Sequence, residues 1–144
     1  MSSRLNERNA VVGVINPAVH SAGSIDTTAV DLKNFRRAMF VLLAGHLVSG
    51  GVIDFKLQSS DASGGSYSDL SGYSITSMNN ASGTNSQAIV EISADALPDG
   101  HRYVRGRMTV ATASSAAAVV VLGGDSRYEP IGSFDLASVI RLVD

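Results

Sequence analysis

The segment over residues 30–70 constrains the fold more than any other part of the sequence. Two apolar runs flank a Ser-Gly-Gly sequence at residues 49–51, which is typical of a tight turn. Residues 53–58 alternate between apolar and polar side chains, and this period of two predicts a half-buried strand. Residues 38–43 are continuously apolar, as in a strand buried on both faces or in a buried helical turn. The segment therefore predicts two core elements in succession.

Composition favours an all-β fold. Hydrophobic residues make up 44% of the 144 residues, yet aromatic residues make up only 6% and tryptophan is absent. A core of valine, isoleucine, leucine and alanine favours strands, and the 14 glycines supply turns. The length fits one domain, so we expect residues 1–144 to form a single domain with an N-terminal arm over residues 1–9. The absence of cysteine excludes disulfides, thiolate metal sites and cysteine nucleophiles.

The charge balance gives no reason to expect a polyanionic partner. Eleven Lys and Arg residues stand against 13 Asp and Glu residues, for a formal net charge of −2. We therefore expect neither nucleic acid nor a membrane among the partners. No apolar run reaches the 18 residues of a membrane span, and the N-terminal residues lack the apolar core of a signal peptide. These features predict a protein made and kept, or assembled, in the cytoplasm.

Residues 36–47 are the main ambiguity in the secondary structure. Phe40, Leu43, Ala44 and Leu47 recur at helical spacing. The run is short, however, it lacks a capping box, and a Gly-Gly turn leads directly from it into a clear strand. We therefore predict a strand.

The remaining pattern predicts about eight short strands separated by turn signals, the arrangement of a jelly-roll-like β-sandwich. The first strand should end at Asn16-Pro17, and the Ala/Val-rich strand should stop at Gly123-Gly124. We expect a polar loop over residues 79–86 and a tight turn at residues 97–100. The eight predicted strands cover residues 10–15, 36–47, 53–58, 67–73, 75–78, 87–93, 102–111 and 116–122. A short additional strand could lie at 29–32, and a last strand or short helix in 134–143 is expected to complete the chain's own sheet.

No catalytic, cofactor-binding or metal-binding motif is evident. His20, His46 and His101 lie far apart, and His101 is expected to be a solvated turn residue. No Gly-x-Ser-x-Gly elbow or phosphate-binding loop is present. A small hydrolase would need a convergent site such as His46 with Asp54. We therefore expect a protein that is not an enzyme and needs no cofactor.

One predicted strand face carries a candidate contact surface. Tyr103, Arg105 and Arg107 share the outer face of the strand over residues 102–111, with Arg102 at its start. A solvated outer face would have the same composition. Arg and Tyr are enriched at protein interfaces, however, so these side chains are candidates for partner contact. Further candidates of the same kind, from elsewhere in the chain, are Arg4, Arg8, Arg36 and Arg37.

Residues 30–70 also carry a resemblance to a known group of proteins. The sequences Val-Asp-Leu at residues 30–32, Val-Ile-Asp-Phe-Lys-Leu-Gln at 52–58 and Tyr-Ser-Asp-Leu at 67–70 resemble small structural proteins of tailed bacteriophages. These include capsid cement or decoration proteins with jelly-roll folds. The later part of the chain, with His-Arg-Tyr-Val-Arg at 101–105, is similar in pattern only.

The resemblance implies a component of the virion, located on the capsid exterior and assembled in the bacterial host cytoplasm. Its partners would be the major capsid protein, whose subunits it would bridge, and a second copy of itself, most simply as a two-fold dimer. The alternative is a phage tail component or a receptor- or carbohydrate-binding β-sandwich. In that case the loop aromatics Tyr67, Tyr73 and Tyr128 would be the candidate contacts.

Overall fold

Most elements in residues 4–143, the part of the chain that the computed structural model describes, are β-strands. The strands are β1 (Ala10–His20), β2 (Gly23–Asp26), β3 (Val30–Asp31), β4 (Phe35–Leu47), β5 (Val52–Ser60), β6 (Ser68–Asn79), β7 (Gln87–Ser93), β8 (Tyr103–Ala111) and β9 (Ser115–Ser126). The helical elements are single turns, namely α1 (Leu5–Arg8), α2 (Asn80–Gly83) and a 3₁₀ turn (Ala94–Ala96).

The strands form two antiparallel sheets with jelly-roll topology. One sheet has the order β1-β9-β4-β7, and the other has the order β2-β8-β5-β6. β3 also pairs with β8, further along the same edge as β2. β2 and β3 can be counted as one interrupted strand, and the eight resulting strands can be renumbered from 1 to 8 along the chain. In that numbering the two sheets have the orders 1-8-3-6 and 2-7-4-5, the arrangement of an eight-stranded jelly roll. The prediction of an all-β, jelly-roll-like sandwich is confirmed, with nine strands in the described residues.

A threonine bridges the interruption between β2 and β3. The backbone N–H of Thr27 donates to the carbonyl of Gly106 at 2.8 Å, and the N–H of Gly106 donates to Thr27 Oγ1 at 2.9 Å. Thr27 is buried, so an unpaired N–H at this point would be costly. The hydroxyl thus replaces the carbonyl that a continuous strand would have supplied.

The core lies between the two sheets and follows the alternation that the sequence predicts. Along β8, Val104, Met108 and Val110 are buried, and Gly106 lies among them. Gly106 leaves room for two packed rings, Phe55 and Phe40, whose centroids are 6.1 Å apart. Side chains at the intervening positions of β8 point to the outer face of the sheet.

The ambiguous run at residues 36–47 is a strand, as predicted, and belongs to β4. β4 and β5 lie in different sheets, so the turn at residues 49–51 carries the chain from one layer to the other instead of closing a hairpin. Gly50 adopts a φ of +82°, a conformation that favours glycine.

The strand β2 (Gly23–Asp26) was not predicted, and strand boundaries differ from the prediction at three further places. β1 continues past Pro17 through a bulge between Ile15 and Ala18, which an edge strand tolerates because it has no neighbour on one side. The two strands predicted over residues 67–73 and 75–78 are one strand, β6, which begins at Ser68 and bends at bulges. β9 does not stop at residues 123–124, because Gly123 lies over the ring of Phe35 and continues the pairing with β4.

The chain termini also differ from the prediction. Residues 134–143 form neither a strand nor a helix, so the prediction that they complete the sheet is wrong. The N–H of Asp135 donates to the carbonyl of Val11 at 2.8 Å, but the apolar side chains beyond it, such as Ile140, are exposed. The predicted arm contains α1, and residues 1–3 lie outside the described residues. The predicted polar loop begins with α2, which Asn79 caps.

Candidate functional site

The outer face of the five-stranded sheet carries a continuous network of polar side chains. Its centre is Asp26 on β2, whose carboxylate accepts two hydrogen bonds from Arg107, at 2.6 Å from Nε and 2.9 Å from Nη2. Arg105 Nη1 approaches the same carboxylate at 3.3 Å. The hydrogen bond from Arg107 holds the pKa of Asp26 below its ordinary value, although partial burial opposes the shift. The same bond raises the pKa of Arg107.

The network continues across β5 to β6. Arg105 Nε donates to Gln58 Oε1 at 3.0 Å, and Gln58 Nε2 donates to Asp69 Oδ1 at 2.8 Å. Lys56 Nζ donates to the other oxygen of Asp69, also at 2.8 Å. These hydrogen bonds, from Gln58 first and then from Lys56, lower the pKa of Asp69. Every member of the network is therefore held by at least one neighbour.

Two tyrosine rings pack against arginines on this face. The guanidinium of Arg105 lies 4.0 Å from the ring centroid of Tyr67, and burial raises the pKa of that tyrosine. Arg102 forms a two-pronged pair with Asp31, at 2.8 and 2.9 Å, and donates to the hydroxyl of Tyr103 at 2.7 Å. Stacking and two-pronged pairing fix the arginine side chains in one orientation. We call this surface the arginine-tyrosine face and define it by Asp26, Asp31, Gln58, Tyr67, Asp69, Arg102, Tyr103, Arg105 and Arg107.

The outer face of the four-stranded sheet has the opposite chemistry. The strand register places outward side chains in rows that cross the sheet from β1 to β7. We call this surface the apolar face. Its first row is Val11, Leu122, Met39 and Glu91, and its second row is Val14, Val120, Val41 and Ile89. Its third row includes Ala118, Leu43 and Gln87, and Val19 and Ala116 follow.

Charges occur on the apolar face at one corner only, among the outward positions of its strands. Arg37 lies beside Glu91, with 3.9 Å between Nη1 and Oε1, and both side chains are more than half exposed. Next to this corner, the two terminal segments border a groove of about 1000 Å³. Leu5 of α1 and Leu142 of the C-terminal segment line it together with Met39. The groove extends the apolar face toward the chain termini.

The structure separates the candidate contact residues of the sequence analysis into two groups. Tyr103, Arg105 and Arg107 share the arginine-tyrosine face. Arg37 on β4 and Arg4 and Arg8 at the N-terminal turn line the groove beside the apolar face, away from the arginine-tyrosine face. Arg36 donates to the carbonyl of Ser126 at 3.2 Å and so supports the end of β9.

Sequence reasoning missed the acidic partners of these arginines and the apolar face. Asp26 lies 81 residues from Arg107 in the chain, so only the strand register reveals the pair. The apolar face did have a signal. Residues 38–43 and 116–122 are continuously apolar, and such runs are typical of strands that are covered on both faces.

The described residues contain one serine–histidine pair. His101 closes the predicted turn, because its N–H donates to the carbonyl of Pro98 at 3.0 Å. Its side chain is not solvated as expected, since Ser59 Oγ lies 2.7 Å from His101 Nδ1 and the residue is half-buried. The side chain of Ser59 faces the core and its exposed fraction is 0%. A nucleophile must reach its substrate, and Ser59 does not.

The other candidate chemical site does not assemble. His46 and Asp54 lie in different sheets, since His46 belongs to β4 in the four-stranded sheet and Asp54 belongs to β5 in the five-stranded sheet. Asp54 instead accepts a hydrogen bond from the N–H of Ser77 on the neighbouring strand β6. No group of three His, Asp or Glu side chains within residues 4–143 is placed to hold a metal ion. In the same range, no helix combines the length and the apolar character needed to cross a bilayer.

Comparisons with known proteins show the fold. No protein-family model and no curated protein sequence matches the chain. Among solved structures, the chain is similar to the PBSX exported protein XepA, with a TM-score of 0.58 and 10% identity, over 100% of this chain and 45% of XepA. It is also similar to a chain of infectious bursal disease virus, Gt strain, with a TM-score of 0.48 and 11% identity, over 85% of this chain and 33% of the viral one.

A third similar structure is the K3 adhesin domain of Lys-gingipain from Porphyromonas gingivalis. Its TM-score is 0.46 at 13% identity, over 72% of this chain and 65% of that domain. The present chain thus spans less than half the length of the first two structures and about two thirds of the third. At 10% identity, the likeness to XepA shows a shared fold alone.

Proposed function

We propose that this protein is a non-enzymatic structural component of a bacteriophage virion, which binds the outside of the assembled capsid and stabilises it by bridging subunits of the major capsid protein. The observation that carries the proposal is the pair of large outer faces on a jelly-roll framework. One is a pre-ordered polar surface and the other is an apolar surface. Such a molecule is suited to holding other molecules together.

Two further observations support a phage origin. The fold is shared, over the whole chain, with an exported protein named for PBSX. Residues 30–70 resemble small structural proteins of tailed phages, and they form β3, β4, β5 and the start of β6, so they contribute strands to both sheets.

The arginine-tyrosine face is the proposed contact with the capsid. Arg and Tyr side chains supply much of the binding energy at protein interfaces. Here the bonds to Asp26 and the stacking on Tyr67 already restrict Arg107 and Arg105, so little side-chain entropy would be lost on binding. Because the arginines are paired with carboxylates, the partner need not be strongly acidic. It must offer hydrogen-bond acceptors and a flat polar surface.

The test is a co-sedimentation assay with capsids that lack this protein. We expect saturable binding at a fixed ratio to capsid subunits. Arg105→Ala should weaken the binding at least tenfold, because it removes the stacked guanidinium. A tenfold loss of affinity corresponds to about 1.4 kcal/mol of binding free energy. Lys33→Ala is the matched control, since it removes an exposed cation from the turn after β3. Absence of binding to the capsid by the wild-type protein would contradict the proposal.

A carbohydrate- or receptor-binding module on a phage tail is the alternative function. Sugar-binding sandwiches need exposed aromatic rings, and here Tyr67 is stacked under Arg105 and Tyr73 packs against the core. Tyr128 is about half exposed, and its hydroxyl lies 3.1 Å from Ser133 Oγ. A glycan array decides between the two functions: binding of one defined glycan, together with absence of capsid binding, would support the tail component.

A further inference from the structure

We propose that the apolar face is the surface on which a second copy of this chain docks, so that two sandwiches pack face to face about a two-fold axis. This goes beyond capsid binding. It assigns the self-association to the four-stranded sheet and leaves the arginine-tyrosine face of each copy free on the opposite side.

The first argument is that, within residues 4–143, no layer of the protein covers the apolar face beyond the groove. An antiparallel sheet that meets water normally alternates apolar inward residues with polar outward residues. β8 follows this rule, whereas in β9 the outward positions include Val120 and Leu122 and in β4 they include Val41. Ile89 on β7 is 57% exposed and Val19 on β1 is 71% exposed. Contiguous apolar surface of this kind marks an interaction site.

The second argument concerns charge, which favours a second copy over another partner. Away from the groove corner the outward positions of the face carry no charge, and at that corner Arg37 and Glu91 have opposite signs, with the exposed Asp125 of β9 nearby. In a two-fold arrangement, Arg37 of one copy can approach Glu91 of the other, and the reverse contact follows by symmetry. The pair within the chain is long, at 3.9 Å, and more than half exposed, so each side chain is available for such a contact.

The third argument is the size of the face. Four strands spaced about 4.8 Å apart, and covered over about nine residues of β4 and β9, give a surface of about 19 Å by about 30 Å, or about 600 Å². Two such surfaces would bury about 1,200 Å², which reaches the range of about 1,200–2,000 Å² for stable specific interfaces. Aligned packing of two sheets about 10 Å apart is an established way to bury them.

The test measures the mass of the purified chain in solution by size-exclusion chromatography with light scattering, without capsids. The wild-type protein should have twice the 14.9 kDa of one chain. Val41→Glu, which puts a carboxylate at the centre of the apolar face, should reduce the mass twofold. Ser74→Glu is the matched control: it adds the same charge on the five-stranded sheet, opposite Lys56, and should leave the mass unchanged. A monomeric wild-type protein, or a folded Val41→Glu protein that remains a dimer, would overturn the proposal.

A second experiment decides the question if Val41→Glu does not fold. Arg37→Glu and Glu91→Arg should each weaken the dimer, because each places like charges across the two-fold axis. A mixture of the two variants should form mixed dimers, because residue 37 of each copy then faces a residue 91 of opposite charge in the other copy. The mixture should therefore regain the doubled mass. A mixture no more associated than its separate components would contradict the proposed geometry.

These outcomes are independent of capsid binding. If the chain binds capsids saturably but is a monomer in solution, the present proposal fails and the proposed function stands. If the chain is a dimer through the apolar face but does not bind capsids, the dimer proposal stands and the proposed function fails.

Discussion

At the scale of single residues, the core depends on one position that has no side chain. A Cβ atom at residue 106 would overlap Cζ of Phe55 and approach Cδ2 of Phe40 at 3.2 Å. Both rings are fully buried, so they have no open space into which to move. Packing therefore requires the glycine, whereas the backbone conformation at this position is one that any residue could adopt.

This predicts that Gly106→Ala lowers the free energy of unfolding by about 1–3 kcal/mol, the usual cost of overpacking a core. Urea denaturation followed by circular dichroism would measure the change. Gly64→Ala is the control, because a Cβ there meets no atom within 4 Å, and its effect should stay within about 0.5 kcal/mol. Equal stability of the two variants would show that Phe55 does not pack as described.

The pairing of Asp26 with Arg107 predicts a pH dependence of stability. The pKa of Asp26 is lowered in the folded protein by the hydrogen bond from Arg107, from an ordinary value of 3.8. The pair therefore stabilises the fold at pH values above about 4, and the contribution disappears as the pH falls through the lower, folded pKa. Asp26→Asn should be less stable than the wild-type protein at neutral pH, and the difference should shrink in acid. Urea denaturation over a pH series would measure it, and a difference that stays constant into strong acid would contradict the pairing.

At the scale of elements, the break between β2 and β3 shows how a side chain preserves a sheet. Thr27 Oγ1 accepts the hydrogen bond of the Gly106 N–H at a buried position. Thr27→Val keeps the shape but removes the acceptor, so we expect a loss of about 1–3 kcal/mol in the free energy of unfolding. Thr28→Val, at the exposed neighbouring position, should be close to neutral in the same denaturation measurement. If the two variants behave alike, the hydroxyl does not bridge the strands.

The sequence predicted most strands because alternation and turn signals are local. The Arg102–Ala111 region is the best example, since its inward and outward residues were assigned correctly. Features set by register were not predictable: the bulge that carries β1 through Pro17 and the pairing of Asp26 with Arg107 both depend on distant strands. The C-terminal residues were assigned to the sheet because they are apolar, but the structure leaves Leu136 and Ile140 exposed. Apolar composition alone therefore does not identify a core strand.

At the scale of the whole molecule, the two outer faces differ in chemistry, and this difference suits them to different partners. The apolar face is suited to a partner that is present throughout, such as a second copy. The arginine-tyrosine face is suited to a wet, polar interface that forms on an assembled particle. A two-fold dimer joined through the apolar faces would present two arginine-tyrosine faces on opposite sides. That geometry provides the two contacts that a bridge between capsid subunits requires.

A stabilising role on the capsid is tested most directly by the temperature at which capsids are disrupted, with and without bound protein. Capsids lacking this protein would be saturated with it, freed of the excess, and heated while DNA release or light scattering is followed. We predict a higher disruption temperature for the saturated particles and an intermediate one at partial occupancy, because binding to the assembled state stabilises it. A disruption temperature that is unchanged at full occupancy would contradict a stabilising role.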